Sequence, residues 1–196
     1  MAYYLNHTLS SAIQEINPSR KLVLEFGVHG GNSIRMLRNM LDPSFEVWGF
    51  DTFTGLPEDW SGTDLKKGMF DMGGKPPEID IDHGEVTFFI GLFSDTLPEL
   101  VGAGAFAERR IGLVHVDCDM YSSTVDIFRN IGHLIQEGTV IVFDEWIYNF
   151  DPKCDDHEQK AFKEWVEAMG REYEFIDVGS RLSRSDMERK AVRILR

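Results

Sequence analysis

The chain has 196 residues, 42% of them hydrophobic, and its 33 acidic and 20 basic side chains leave a formal net charge of −13. That length suits one domain around one core, and the hydrophobic share argues against disorder. The acidity argues against a general nucleic-acid binder, which needs a basic face to neutralise phosphate; its plainest consequence is solubility.

The cysteines, Cys118 and Cys154, show no CxxC spacing and no disulfide framework, so free thiols in a reducing compartment are expected. The opening "MAYYLNHTLSSAIQEI" lacks the basic and apolar regions of a signal peptide. No apolar run is long enough to span a bilayer. The expectation is a soluble cytoplasmic protein with neither nucleic-acid nor membrane partners.

In chain order, residues 1–20 have room for one helix. "KLVLEFG" (21–27) reads as a buried strand, and "NSIRMLRNML", with Ile34, Leu37 and Leu41 on one face, as a helix. "EVWGFD" (46–51) is the second strand. Residues 54–85, rich in Gly and Pro and carrying Trp60, Met69, Phe70 and Met72, are too long for an ordinary connection. They leave the carboxyl edge of the sheet, where ligands bind in such folds, and read as a lid or substrate wall. "VTFFIG" (86–91) and "IGLVHVD" (111–117) are strands three and four. A helix follows, with Ser123 and Asp126 as a capping box, a stripe of Val125, Phe128, Ile131 and Ile135, and a stop at Gly138. "TVIVFDE" (139–145) is the fifth strand. The next helix has Asp155 or Asp156 as cap, with Phe162, Trp165, Val166 and Met169 inside and Gly170 at its end. "EYEFIDVG" and "KAVRILR" complete seven strands.

The first five strands are mostly separated by helices, which implies a parallel sheet. The last two are too close in sequence for a parallel crossover and read as an antiparallel hairpin. The fold class is therefore α/β: a single doubly wound, Rossmann-like, seven-stranded sheet, mostly parallel, with a C-terminal antiparallel hairpin.

The bend after the first strand reads Gly27-Val28-His29-Gly30-Gly31. In a dinucleotide fingerprint the second glycine lets the backbone approach a pyrophosphate; His29 stands there and crowds it. No GKS or GKT follows, so a P-loop is excluded. What remains is an acid, a tight turn and a serine: Glu25, Gly27, Gly31 and Ser33. Glu25 suits a ligand bearing a positive amino group. Asp51 ends the second strand, where an acid in nucleotide-binding sheets holds ribose hydroxyls. A ribose without a pyrophosphate, plus an amino group, describes S-adenosylmethionine better than NAD.

"LEFGVHGGNS", "GFDTFTGLPEDW", "GLFSDTLPEL", "HVDCDMYSSTVDIF" and "GTVIVFDEW" together resemble the consecutive motifs of class I S-adenosylmethionine-dependent methyltransferases. Among these the chain is most similar to the macrocin O-methyltransferase family, which is metal-dependent and modifies sugars. The resemblance spans about residues 21–150 and implies a seven-stranded sheet ending in a hairpin. It implies that Gly27 and Gly31 shape the methionine pocket with Glu25 and Ser33 beside it, that Asp51 holds the ribose, and that Thr52 and Phe53 lie along the adenosine. It further places Phe93, Ser94 and Asp95, in the turn after strand three, against the adenine, and Asp117 at the junction of cofactor and metal.

Asp117 ends strand four, and Asp144 and Glu145 end strand five, so three carboxylates are expected to converge at one edge. Their mutual repulsion is relieved by a divalent cation, and all-oxygen ligands favour Mg²⁺, Mn²⁺ or Ca²⁺; solvated strand-end acids are the alternative. The spacing resembles the metal site of catechol and macrocin O-methyltransferases. The implied reaction is metal-assisted methylation of a small hydroxylated metabolite, a sugar or a phenol. Met120 fills the place of the catechol-type lysine base, and the macrocin-type histidine has no counterpart, because His83 reads as surface. Asp119, His29 and Lys67 remain as candidates for the base, with Asp119 preferred. His115 reads as a satisfied core residue, and His133, His157 and His7 as helical. Tyr121, Trp146 and Tyr148 read either as an acceptor pocket or as core. A metal-independent methyltransferase, a non-catalytic cofactor-binding module and an NAD oxidoreductase are the rival readings. Macrocin-type enzymes carry a longer N-terminal region than the twenty or so residues here, which implies an open site or one completed by a second subunit in a homodimer.

Overall fold

The computed structural model describes residues 2–148, 157–177 and 187–196. Seven strands form one sheet: β1 (Leu22–Phe26), β2 (Glu46–Asp51), β3 (Val86–Ile90), β4 (Ile111–Val116), β5 (Val140–Tyr148), β6 (Tyr173–Ile176) and β7 (Met187–Ile194). Their spatial order is β3-β2-β1-β4-β5-β7-β6. β1 to β5 are parallel, and β7 inserts antiparallel between β5 and β6. The doubly wound sheet with its antiparallel C-terminal pair is as expected. The order reverses between β1 and β4, which opens a crevice at their carboxyl ends.

Side-chain alternation divides the core into two layers. Val23, Val47, Leu113, Val140 and Val142 pack with Leu9 and Ala12 of α1 (Ala2–Gln14) and Ile34 and Leu37 of α2 (Asn32–Met40). Leu24, Phe26, Phe50, Val114, Val116, Ile141 and Phe143 pack with α3 (Phe93–Gly102), α4 (Tyr121–Ile131) and α5 (His157–Met169) through Leu97, Ile127, Phe128, Phe162 and Trp165. β1 and β4 are buried on both faces, the reason they read as unbroken apolar runs. Arg38 is buried too; its guanidinium donates to the carbonyls of Leu41, Asp42 and Phe45 beyond the end of α2. Among the described residues no helix is long and apolar enough to cross a membrane.

Several boundaries differ from the sequence reading. Residues 93–102, read as a turn at their start, form α3 despite Pro98. α4 begins at Tyr121, so Ser123 lies inside the helix and Met120 takes the cap position without a side-chain bond. The Tyr121 N–H finds its acceptor at His157 Nδ1, 3.2 Å away. α4 ends at Ile131 rather than running to Gly138. A Cβ at Gly132 would lie 2.3 Å from the Trp165 indole nitrogen, so α5 packs directly on that backbone, and the chain tightens into a 3₁₀ turn, Gly132–Leu134. The buried stripe of α5 is Glu158, Ala161, Phe162 and Trp165, while Met169 is 45% exposed at the last turn. Cys118 is free and buried; Cys154, Asp155, Asp156 and the side chain of Tyr148 lie outside the described residues.

Gly27 has φ +90, and a Cβ there would lie 1.8 Å from the Asp117 carbonyl oxygen, a rigid backbone atom. Gly30, three residues on, has nothing within 4 Å. Gly27→Ala is therefore expected to cost about 3 kcal/mol or more, from strain and overpacking combined, and Gly30→Ala less than about 0.5 kcal/mol, as read by denaturant unfolding.

Candidate active site

The carboxyl ends of β1, β2 and β4, the start of α3 and the beginning of the 54–85 segment line a cavity of about 800 Å³. That is the upper part of the range for small-molecule sites. The expected Gly27, Ser33, Asp51, Thr52, Phe93, Ser94 and Asp117 line it, as do Asp119 and Asp144. Glu25, Gly31, Phe53, Asp95 and Glu145 do not. Phe53 is buried against the ring of Phe88. Gly31 backs onto Ile79 and Pro77, and Asp95 is exposed in the first turn of α3.

Asp51 holds the glycine turn. Its Oδ2 accepts the N–H groups of Val28 and His29, each at 2.8 Å, and its Oδ1 accepts that of Phe53 at 2.7 Å. Strain gathers around the turn: His29 (φ 46) within it, Phe53 (φ 55) after β2 and Asp119 (φ 67) after β4 are non-glycine residues in the left-handed region, and such residues cluster at functional sites.

Behind the turn Glu25 is fully buried. It accepts from Ser33 Oγ at 2.9 Å and pairs with His115 Nδ1 at 3.0 Å. Burial raises its pKa, and the bonds to His115 and Ser33 pull it part of the way back. His115 is buried and only half satisfied, because its Nε2 has no partner. One of its ring nitrogens and a carboxylate oxygen from each of Asp117 and Asp144 lie within 4.8 Å of one another.

Asp144 and Glu145 do not end their strand. β5 runs on to Tyr148, and its ladder with β7 shifts register between Phe143 and Ile147. Asp144 is the first residue beyond the parallel pairing with β4, which stops at Phe143. It faces Arg189 of β7, whose Nε and Nη2 donate to its two oxygens, the latter at 2.8 Å. Burial tends to lower the Arg189 pKa, but Asp144, Glu145 and Asp117 outweigh it and hold the guanidinium firmly charged. Glu145 is buried away from the cavity. Its backbone N–H donates to Glu158 Oε2 at 3.1 Å, while Glu158 Oε1 accepts from the Cys118 N–H at 3.4 Å. Burial, then surrounding carboxylates, push Asp117, Glu145 and Glu158 well above the usual carboxylate range. Asp119 is pushed up to about 7 by burial and the charges of Asp144 and Asp51.

The expected cation set, Asp117, Asp144 and Glu145, is thus not what converges: Asp117 and Asp144 meet His115 instead. Arg189 engages one side of each Asp144 oxygen, and a carboxylate has about four lone-pair sites, so acceptor capacity remains. The donors present fit a divalent cation. The sequence reading missed His115 although it lies two residues before Asp117 on a strand, hence on the same face. Arg189 reaches Asp144 only through antiparallel pairing across 45 residues, and no local signal marks it.

The 54–85 segment supplies a wall. Gly55, Leu56, Pro57, Glu58 and Phe70 line the cavity, with Phe70 edge-on to His29. Leu56, Trp60 and Met120 form their own apolar cluster. Ser122 Oγ donates to Glu58 at 2.6 Å, which ties the wall to α4. The segment then crosses α2, where His83 Nε2 meets the Leu41 carbonyl at 2.8 Å, away from the cavity as expected. Of the base candidates, Asp119 and His29 line the cavity and Lys67 does not. Trp146 packs in the core with Phe143 and Phe162, and Tyr121 bonds Glu164.

A profile of the family described as Methyltransferase domain matches residues 24–146. A curated relative, the 8-demethyl-8-(2,3-dimethoxy-alpha-L-rhamnosyl)-tetracenomycin-C 4'-O-methyltransferase of Streptomyces olivaceus, is 30% identical over 142 residues, 63% of this chain and 52% of the relative. The chain spans about half the length of that relative. The calicheamicin methyltransferase CalS11 has a similar fold, with a TM-score of 0.68 at 19% identity over 94% of this chain and 76% of CalS11. So has the O-methyltransferase TomG of Streptomyces achromogenes in complex with S-adenosylmethionine, with a TM-score of 0.55 at 15% identity over 99% of this chain and 80% of TomG.

Because one carboxylate receives three backbone N–H groups, Asp51→Ala is expected to leave buried donors unpaired and to destabilise the fold by about 1–3 kcal/mol. Amide exchange should speed up first at Val28, His29 and Phe53.

Proposed function

Since the chain belongs to the methyltransferase-domain family, whose class I members use S-adenosylmethionine, we propose that it transfers the methyl group to a hydroxyl of a small molecule, a sugar first among them. The observation that carries this reading is the single cavity that joins the glycine turn and Asp51 to Asp117, Asp119 and Asp144. A cofactor against the turn and an acceptor against the acids then share one enclosure. The sugar acceptor is supported by the tetracenomycin relative, whose name places its methyl group on a rhamnosyl hydroxyl, and by CalS11, a TDP-rhamnose 3'-O-methyltransferase.

In the proposed reaction the acceptor oxygen attacks the sulfonium methyl in line. The O–C bond forms as the C–S bond breaks, and the hydroxyl proton passes to the Asp119 carboxylate. Asp119 sits in the cavity wall two residues after Asp117, and its burial raises its basicity above that of an ordinary carboxylate, which favours a general base. Asp117 and Asp144 would hold a divalent cation, whose Lewis acidity would lower the pKa of the acceptor hydroxyl. Asp51 retains acceptor capacity on Oδ1, which takes one N–H, and a ribose hydroxyl would be its partner there. The wall from Gly55 to Glu58 holds the acceptor and excludes water, so the chain contributes mainly by positioning.

Calorimetric titration with S-adenosylhomocysteine and, separately, NAD tests the cofactor. Binding of the first alone is expected, and binding of NAD alone overturns the reading. With labelled S-adenosylmethionine and a panel of rhamnosides and phenols, Asp119→Asn is expected to lower kcat by about 10²- to 10⁴-fold. Affinity for S-adenosylhomocysteine should stay within a factor of about three, since one pair of lost contacts would exceed that.

A further inference from the structure

We propose that Phe70 is a specificity-determining residue for the acceptor: its ring is fixed at the cavity mouth as a contact face for an apolar group attached to the acceptor sugar. A glycoside with an apolar aglycone is then preferred to a nucleotide-linked sugar. This deepens the sugar reading above and rests on it.

Three observations converge. The first is position. Phe70 lines the cavity yet is 41% exposed, so its side chain stands at the boundary between cavity and solvent. Met69 and Met72, on the same loop, are exposed too, and exposed Leu92 lines the cavity from the side of α3. Apolar side chains gathered at the rim of a pocket mark a surface that a ligand covers. Phe70 belongs to none of the apolar clusters among the described residues, so core packing does not account for it. Its ring meets only that of His29, edge-on, with the centroids 5.6 Å apart.

The second is strain. Phe70 has φ 69, where a bulky side chain is an outlier, and such a conformation persists only when its surroundings over-determine it. Here they do. Before Phe70, the Leu56 N–H donates to the Met69 carbonyl at 2.9 Å; after it, the N–H groups of Met72 and Gly74 donate to the Phe53 carbonyl at 3.0 and 2.7 Å. Thr54 bridges Asp71. The two limbs are pressed together at Gly55, where a Cβ would lie 2.3 Å from the Met69 carbonyl oxygen. The loop thus presents the ring in one place before any ligand arrives, which lowers the cost of binding.

The third is charge, which chooses the occupant. Asp51, Glu58, Asp117, Asp119, Asp126 and Asp144 line the cavity against the guanidiniums of Arg35 and Arg189, and Arg189 is engaged by Asp144. A diphosphate is repelled by such a wall. An uncharged aglycone is not, and it gains by covering Phe70 and its methionine neighbours.

The test uses the full chain with labelled S-adenosylmethionine and three acceptors: naphthyl rhamnoside, methyl rhamnoside and TDP-rhamnose. The expected kcat/KM for naphthyl rhamnoside is at least about tenfold above that of either other acceptor. Phe70→Gly should raise KM for naphthyl rhamnoside by about tenfold, lower kcat less than about threefold, and bring the naphthyl-to-methyl ratio close to one. Phe70→Tyr, which keeps the ring, should keep the ratio. The denaturant midpoint of Phe70→Gly should be no lower than that of the wild type, because glycine relieves the left-handed strain; a purely structural Phe70 predicts a clear fall. Equal kcat/KM for the two rhamnosides, a preference for TDP-rhamnose, a naphthyl preference that survives Phe70→Gly, or failure of that variant to fold each overturns this inference alone. Turnover of none of the three acceptors, with S-adenosylhomocysteine still bound, overturns the sugar reading and this inference with it.

Discussion

The absence of a side chain at residue 27 sets the geometry on which the site depends. The backbone of β1 leaves the sheet at Gly27 and passes against the carbonyl of Asp117 at the end of β4. That contact lies where the strand order reverses, so the two neighbouring strands turn apart into opposite layers while their ends stay together. The Asp117 N–H still bonds the Phe26 carbonyl at 2.9 Å, and the Gly27 N–H that of Phe50 at 2.9 Å. The ladder is carried one residue past each strand, and the cavity opens directly beyond it. Asp51 then completes the turn, standing in for the acceptors that the loop amides lack.

Around this turn the protein gathers more negative charge than its interior accommodates easily. Desolvation is the first cause of every raised carboxylate there. Some of the load is met structurally. Arg189 balances Asp144, and Glu158 uses both oxygens to cap the backbone at Cys118 and Glu145. The rest, at Asp117, Asp119 and the unpartnered nitrogen of His115, is met by no side-chain bond among the described residues. Stability alone does not favour buried, like-charged groups, and the proposed binding of a cationic sulfonium gives them a purpose.

The 54–85 segment touches helices on both faces of the sheet. Its first part walls the cavity and is bonded to α4. Its last part lies on α2, where Ile79 packs behind Gly31 and Gly84 approaches the Arg38 guanidinium. The Thr54–Asp71 bridge closes the first part into a loop of its own, and Trp60 gives it a small core separate from that of the sheet.

Local chemistry written in the chain determined the strands, their parallel order, the antiparallel C-terminal pair and the acids at the carboxyl edge. Apolar runs between glycine turns have a short-range signature, and a strand-to-helix bend declares itself in a few residues. That is why Gly27, Asp51, Asp117 and Asp144 were legible, and why a long insertion after β2 could be expected at the cavity. The tertiary structure alone decided what these residues meet. Whether Asp144 faces a guanidinium depends on β7 entering between β5 and β6. Whether α4 starts at Tyr121 depends on His157 arriving from another helix. These are contacts between residues far apart in the chain, and nothing in the local pattern of either partner encodes them. His115 stands between the two cases: its face was readable from its spacing to Asp117, but its unmet nitrogen appears only once Glu25 has claimed the other side of the ring.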